Sequence, residues 1–323
     1  MKLDLSDVTL CAADSANLAL TARALQLSME RCKFAEAVLF SHERLDGDFR
    51  TVIGPKFSRV SYQAFRIKPP PTVETPFALF IEWDGYVLEP RAWDPSFRAY
   101  DYIGARWPGP LLGVPGRTVG NSGFCLQSKK LNDALADPRF APTPEDNVDA
   151  LVCGKYRPIL EQEFGIRFAP EPVADRFSYE LLLPVVPTFG FHGLSNMWRY
   201  IDDDKMVELI GHVDPYVFRA PQFVILILNY ALQCKFAMVE QLYVLMRKHV
   251  AHADAVAACS LTLMRFLDCV NSSPLSAAAN KGNDLDSGAH GVGDDSFTDR
   301  RDVVVKTSAN HRWHDLARQL QVC

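Results

Sequence analysis

Three short segments of this chain concentrate side chains able to do chemistry. Glu82-Trp83-Asp84-Gly85 closes an apolar run, Gly120-Asn121-Ser122-Gly123-Phe124 is a glycine-containing loop, and Phe189-Gly190-Phe191-His192-Gly193 follows further on, with Glu145-Asp146 between the last two. Glu82 and Asp84 are acids placed just past an apolar stretch, at the carboxyl end of a predicted strand, where open α/β sheets bind ligands. Carboxylate oxygens suit Mg²⁺ or Mn²⁺, and a neutral imidazole such as His192 can complete a divalent site. An acid pair at a strand end also fits a solvated turn, and a lone histidine among aromatics also fits a hydrogen-bonded core residue.

The loop 119–124 sets two glycines around two small polar residues, which lets backbone approach a ligand closely or simply turn. It lacks the spacing of a phosphate-binding P-loop and of a nucleophile elbow. Glu145-Asp146 opens a predicted helix over 147–164, where acids favour the helix dipole and where a carboxylate is also placed to act as a general base. His42, His212, His249 and His252 have no comparable company, and Arg66 and Lys68 read as surface charges able to meet phosphate but not assigned to the site.

The elements that must position these residues follow from hydrophobic spacing. Residues 8–13 predict a buried strand, 17–31 a helix with Leu18, Ala22, Leu25 and Met29 on one face, and 37–40 a second strand. A right-handed crossover makes those strands parallel neighbours. Val52-Ile53 predicts a third strand, 62–67 a helix, and 77–81 a strand apolar on both faces, as in a sandwiched sheet. From 90 to 200 the chain is rich in Pro, Gly, Trp and Phe, with weak strand signals at 123–126 and 166–168. The class is α/β, a mixed but mostly parallel sheet flanked by helices. The predicted organisation is a domain over 1–204, a helical region over 205–270 interrupted by Pro215 and Pro221, a low-complexity disordered stretch over 271–310, and a short helix within 311–323.

Composition narrows the class. With 323 residues, 48% hydrophobic and 23% charged, the chain can bury a sizeable core. A net charge of -5 with scattered Lys and Arg argues against nucleic acid as a partner. Eight dispersed cysteines without C-x-x-C spacing fit a reducing compartment. The first residues carry acids and no apolar leader, and the longest apolar stretch, 223–228, is too short to span a bilayer, so a cytoplasmic protein without an integral membrane segment is expected.

Taken in order, these residues resemble the GT-A class of glycosyltransferases, which share a D-x-D-type metal motif, a glycine loop, an E-D pair and a late histidine. The sequence is more closely similar to a bacterial group of glycosyltransferase-like proteins known only as a domain of unknown function. The likeness lies at 82–88, 100–105, 120–124, 168–171, 177–180 and 189–193, and spans roughly residues 5–200. It implies a GT-A-like, Rossmann-like fold and a metal-dependent transfer of sugar from a nucleoside diphosphate donor to a saccharide hydroxyl, with inversion the simpler mechanism. In that reading Asp84, assisted by Glu82, and His192 meet Mn²⁺ or Mg²⁺, and Trp83, Gly120, Asn121, Gly123 and Phe124 shape the donor and acceptor site. Asp146, beside Glu145, is the implied base. The alternatives are a degenerate domain that binds saccharide or a partner, and a metal-dependent nucleotidyltransferase or phosphohydrolase.

Overall fold

The computed structural model describes residues 2–69, 73–109, 116–142, 147–255 and 257–258. Residues 1–217 form one compact unit and those from 218 onward a second.

The first unit is built on a six-stranded sheet of order β3-β2-β1-β4-β6-β5. Its strands are β1 (Leu3–Ala13), β2 (Cys32–Ser41), β3 (Arg50–Ile53), β4 (Phe77–Ile81), β5 (Tyr102–Ile103) and β6 (Phe124–Ser128). β1 to β4 run parallel, β6 runs against β4, and β5 runs against β6, so five of the six strands point one way. This is the mixed, mostly parallel α/β architecture expected from the sequence. β1 and β2 extend well beyond the apolar cores at 8–13 and 37–40. Their amino-terminal ends also pair in parallel, Leu3 opposite Cys32, but in a register shifted from that of the apolar cores by an irregularity between Leu5 and Thr9.

The order has a physical consequence. β1 is joined to β2 through α1 (Leu18–Arg31), while β3 returns through α2 (Arg59–Ile67) to β4 on the other side of β1. Right-handed crossovers in opposite directions put α1 and α2 on opposite faces and open a crevice between β1 and β4 at their carboxyl ends. Both faces of the central strands are therefore dry: Leu10 faces Leu79 across the register and Cys11 faces Phe80, all buried. The Cys11–Phe80 face packs with Ile67, Leu131, Leu151 and Leu160, from α2, α3 (Lys129–Leu135) and the chain that follows. Burying a side chain such as Phe80 contributes roughly 2–3 kcal/mol, so this layer is a principal stabiliser of the crevice floor.

The helix expected over 147–164 is divided. Residues Ala150–Lys155 form a π-helical turn, and α4 (Arg157–Phe164) starts afresh. Pro158 lies in the first turn of α4, where its missing N–H is tolerated but a continuous helix is not. The weak strand signal at 166–168 resolves to a single bridge between Tyr102 and Phe168. α5 (Glu171–Phe177) leads into a small parallel pair, β7 (Ser178–Tyr179) and β8 (Gly190–Phe191), and α6 (Asp203–Gly211) follows. In the second unit α7 (Pro221–Leu232) packs on α8 (Phe236–Arg247), with Pro221 in the first turn of α7. The low-complexity stretch and last helix expected after residue 270 lie outside the described residues.

Candidate metal centre and cleft

The chain leaves β4 in a tight turn. Glu82 N–H donates to the Gly123 carbonyl (2.9 Å), and Gly85 N–H donates back to the Glu82 carbonyl (3.1 Å). The turn holds Glu82 and Asp84 side by side beside the glycine loop. Gly193 N–H then bonds the Asp84 carbonyl (3.0 Å), and Leu194 N–H bonds Asp84 Oδ2 (2.9 Å). These bonds bring His192 onto the same acids: its Nε2 lies 3.3 Å from Asp84 Oδ1 and 3.6 Å from Glu82 Oε2. One ligand atom from each of the three lies within 4.8 Å of the others.

Two glycines make this convergence possible. A Cβ on Gly123 would stand 2.1 Å from His192 Nε2, and a Cβ on Gly190 would stand 2.2 Å from the Phe124 ring. The two glycine motifs thus interlock, each giving up a side chain where the other places a ring.

Each ligand has its own support. Glu180, buried, sets Oε1 3.2 Å from His192 Nδ1 while Oε2 accepts from Asn121 Nδ2 (2.7 Å). Glu82 Oε1 accepts from the Tyr62 hydroxyl (2.6 Å) and lies 3.9 Å from the guanidinium of Arg66. Arg66 has a side chain only 2% exposed; it lies over the Phe80 ring and donates to the Ser122 carbonyl (2.7 Å). It is therefore no surface charge. Its partners tie α2 to both halves of the site, and Gln63 on the same helix accepts from Val148 N–H (2.7 Å).

The electrostatics follow from this crowding. Burial works to raise the Glu82 pKa, but His192, Arg66 and the Tyr62 hydroxyl outweigh it and hold the carboxyl at about 2. Burial works against a charged His192, yet Asp84, Glu180 and Glu82 raise its pKa well above the ordinary value. With these acids around it the imidazole draws a proton, which a divalent cation can replace. Asp84 Oδ1 and His192 Nε2 are both buried and without a hydrogen-bond partner. Buried polar atoms left so are costly. Two carboxylates and an imidazole whose ligand atoms converge in this way fit a divalent metal such as Mn²⁺ or Mg²⁺.

A second carboxyl system stands beside the glycine loop. Asp149, immediately before the π-helical turn, accepts from Ser122 N–H at Oδ1 (3.1 Å). Burial pushes its pKa up to about 7; Glu180 and Glu82 add to the rise, and the Ser122 bond and His192 oppose it. π-turns inside helices are frequent at functional sites, and here the turn directs an acid inward.

Beyond the cluster lies a cleft of about 450 Å³ at the carboxyl ends of β1 and β4, the crevice that the strand order opens. Ala13, Glu82, Trp83 and Tyr216 line it, with Lys56 and Arg59 at its rim. Asp14, just past β1, accepts from Ala16 N–H, Asn17 N–H and the Thr21 hydroxyl, so it ties the entry of α1 to this wall of the cleft.

The residues singled out from sequence therefore separate. Glu82, Asp84 and His192 come together as one cluster, and Trp83 lines the adjoining cleft. Asn121 is buried and holds the loop through Glu180 and through its Oδ1, which accepts from Gly123 N–H (3.1 Å). Gly120 is packed under Trp107 and Cys153, and its carbonyl accepts from the Tyr102 hydroxyl (2.8 Å). Phe124 is wholly inside the core against Phe177 and Phe189, so its ring supports the site from beneath instead of lining it. Glu145 and Asp146 lie outside the described residues. Arg66, Asp149 and Glu180 were missed as site residues, although Glu180 closes the segment 177–180 on which the family resemblance partly rests.

Residues 71–192 match the model of a family described as a protein of unknown function (DUF5672), a span that takes in every member of the cluster. No curated protein matches. Similar solved structures include a glycosyltransferase involved in glycosylation of the major capsid of PBCV-1, at 12% identity over 57% of this chain and 91% of that one, with a TM-score of 0.36. The galactosyltransferase LgtC in complex with donor and acceptor sugar analogues is similar at 12% identity over 64% and 96%, TM-score 0.36. A mannosyltransferase from Pyrobaculum calidifontis in complex with GDP-Man and Mn²⁺ is similar at 10% identity over 98% and 86%, TM-score 0.36. At this distance the likeness assigns no activity. Among the described residues no helix is long and apolar enough to cross a membrane.

Proposed function

We propose that this protein is a metal-dependent glycosyltransferase that moves a sugar from a nucleoside diphosphate donor to a hydroxyl of a saccharide acceptor. The observation that carries the reading is the juxtaposition of the Glu82–Asp84–His192 cluster with the cleft at the β1–β4 crevice. The sequence resemblance to GT-A transferases supports it at the same residues. The base of the donor rests against Trp83 and Tyr216, and Lys56 and Arg59 supply positive charge for the diphosphate. Bound Mn²⁺ or Mg²⁺, held by Asp84, His192 and Glu82, would neutralise charge on the departing diphosphate. Glu180 orients His192 through Nδ1, the usual role of a carboxylate behind a ligating imidazole.

The acceptor oxygen attacks the anomeric carbon as the bond to the diphosphate breaks, and its proton passes to a carboxylate of the segment 145–149. A base titrating near neutrality is well matched to that transfer, contributing typically ~10²–10⁴-fold. Asp149 has that property; Asp146 is the base that the family resemblance implies. A single displacement with inversion needs no further nucleophile.

The test is a melting-temperature screen of the protein with UDP, GDP, CDP, TDP and CMP, with and without Mn²⁺, since a ligand of the native state raises the melting temperature. One nucleotide that stabilises only with metal names the donor class. No stabilisation by any of them, with or without Mn²⁺, overturns the reading. Turnover of Asp146→Asn and Asp149→Asn with the donor so identified then assigns the base.

A further inference from the structure

We infer that Tyr62 is a positioning residue of the metal centre: its hydroxyl holds one oxygen of Glu82 so that the other is presented to a divalent cation. The inference deepens the proposed function at the same site and rests on that reading's metal, though not on the sugar transfer. The three ligands are not held alike. Asp84 accepts Leu194 N–H at Oδ2 (2.9 Å), while His192 donates its own N–H to the Tyr179 carbonyl (2.9 Å) and sets Nδ1 beside Glu180. Both side chains are nearly enclosed, at 9% and 11% exposure, whereas that of Glu82 is 29% exposed and borders the open cleft. A glutamate also has one more torsion to fix than an aspartate, so holding it in place costs more rotamer freedom. Among the described residues no backbone N–H reaches the Glu82 carboxylate. Beyond His192 itself, its supports are Tyr62 and Arg66, one turn apart on α2.

The geometry divides the two oxygens of this carboxylate. Oε1 accepts from the Tyr62 hydroxyl (2.6 Å), while Oε2 is the oxygen 3.6 Å from His192 Nε2. A phenol has a single proton to donate. Arg66 Nη1 donates to the hydroxyl oxygen over 3.5 Å, which leaves that proton directed at Oε1. Arg66 is itself fixed, because Nη2 is bonded to the Ser122 carbonyl (2.7 Å) and the guanidinium lies over the Phe80 ring. The Tyr62 ring is seated independently of its hydroxyl, edge to Phe57 with centroids 6.0 Å apart and against the buried Ala13, Val38 and Phe40. Removing the hydroxyl therefore leaves the ring in place. Oε1 then has only a guanidinium 3.9 Å away to keep Glu82 from turning into the cleft. The succession Arg66, Tyr62, Glu82 does for the acid what Glu180 does for the imidazole.

Titration of the full chain with Mn²⁺ alone, the free ion followed by its paramagnetic resonance signal, tests this without any nucleotide. Tyr62→Phe should bind Mn²⁺ about ten- to a hundredfold more weakly than the parent, the usual effect of removing a partner behind a metal ligand. Its melting temperature in EDTA should stay within about 4 °C of the parent's, as expected for the loss of one hydrogen bond with the ring packing kept. Glu82→Ala separates positioning from a general effect on the fold. That variant keeps Asp84 and His192 as ligands, and in its background Tyr62→Phe should change Mn²⁺ affinity by less than about twofold, because the hydroxyl acts through the Glu82 carboxylate. A Tyr62→Phe protein that binds Mn²⁺ as tightly as the parent overturns the inference and leaves the metal reading standing. So does an equal loss of affinity with and without Glu82, which would make Tyr62 a prop of the fold. No Mn²⁺ binding by the parent overturns both.

Discussion

Replacing Asp149 by Asn in the metal-free protein should flatten the dependence of stability on pH, by an amount that its surroundings set. The carboxyl is bonded to Ser122 N–H and shifted from 3.8 to about 7 by burial, with Glu180 and Glu82 adding to the rise. A carboxyl whose pKa is raised on folding holds its proton more tightly in the native state. The stability it contributes is complete below the unfolded value and is lost as pH rises through about 7. A shift of about three pH units corresponds to ~4 kcal/mol between the two limits, of which ~2 kcal/mol falls between about pH 5.5 and 8.5. Asn does not titrate and keeps an acceptor oxygen for Ser122. Urea unfolding in EDTA at those two pH values should therefore show the parent losing ~2 kcal/mol more than Asp149→Asn on going to the higher pH. Stability curves of the two proteins that run parallel within ~0.5 kcal/mol would refute the assignment of Asp149 as a desolvated, proton-retaining acid.

The other predictions concern the cluster and the cleft. Gly123→Ala places a methyl group 2.1 Å from His192 Nε2, so it should cost ~1–3 kcal/mol and remove stabilisation by Mn²⁺ in a melting assay; retention of the metal effect would refute the close-packed geometry. Asp84→Asn should abolish Mn²⁺ binding in titration calorimetry. In the parent, binding should release protons as the metal displaces the one held by His192, so affinity falls as pH is lowered; a heat independent of buffer ionisation enthalpy would contradict this. Trp83→Ala should weaken nucleotide binding by about tenfold without changing Mn²⁺ affinity, since the indole lines the cleft and offers no metal ligand; equal nucleotide affinity in both proteins would remove the base from that wall.

What could be read from the sequence is uneven for physical reasons. The alternation of buried strands and an amphipathic α1 disclosed the parallel core, because each period reports one covered face. The convergence of Glu82, Asp84 and His192 could be anticipated from residue type and from a strand end. Arg66 could not: four residues after Tyr62 on a short helix, it reads as a solvated charge, and only the approach of β4 and the glycine loop shows that its guanidinium is enclosed. Asp149 was hidden by a regular helical reading of 147–164. In an unbroken helix it is one more acid near an N-terminus, whereas the π-turn ahead of Pro158 changes where the chain points it. Gly120, Asn121 and Phe124 lie next to the site but serve as its scaffold, a distinction that depends on side-chain direction and not on spacing.

The interlock of Gly123 with His192 also says when the site comes into being as the chain folds. The bond between Leu194 and Asp84 closes a separation of 110 residues, and Glu82 is fixed only once β6 has docked against β4. Parallel β1 to β4 can associate without either event, but the three ligands cannot meet until the antiparallel edge is complete and the 189–193 segment has swung back across it. Contacts so distant along the chain form late, after loop closures that nothing local rewards. Metal capture during refolding would therefore mark the last step of the first unit and report a finished fold, not a partly assembled sheet.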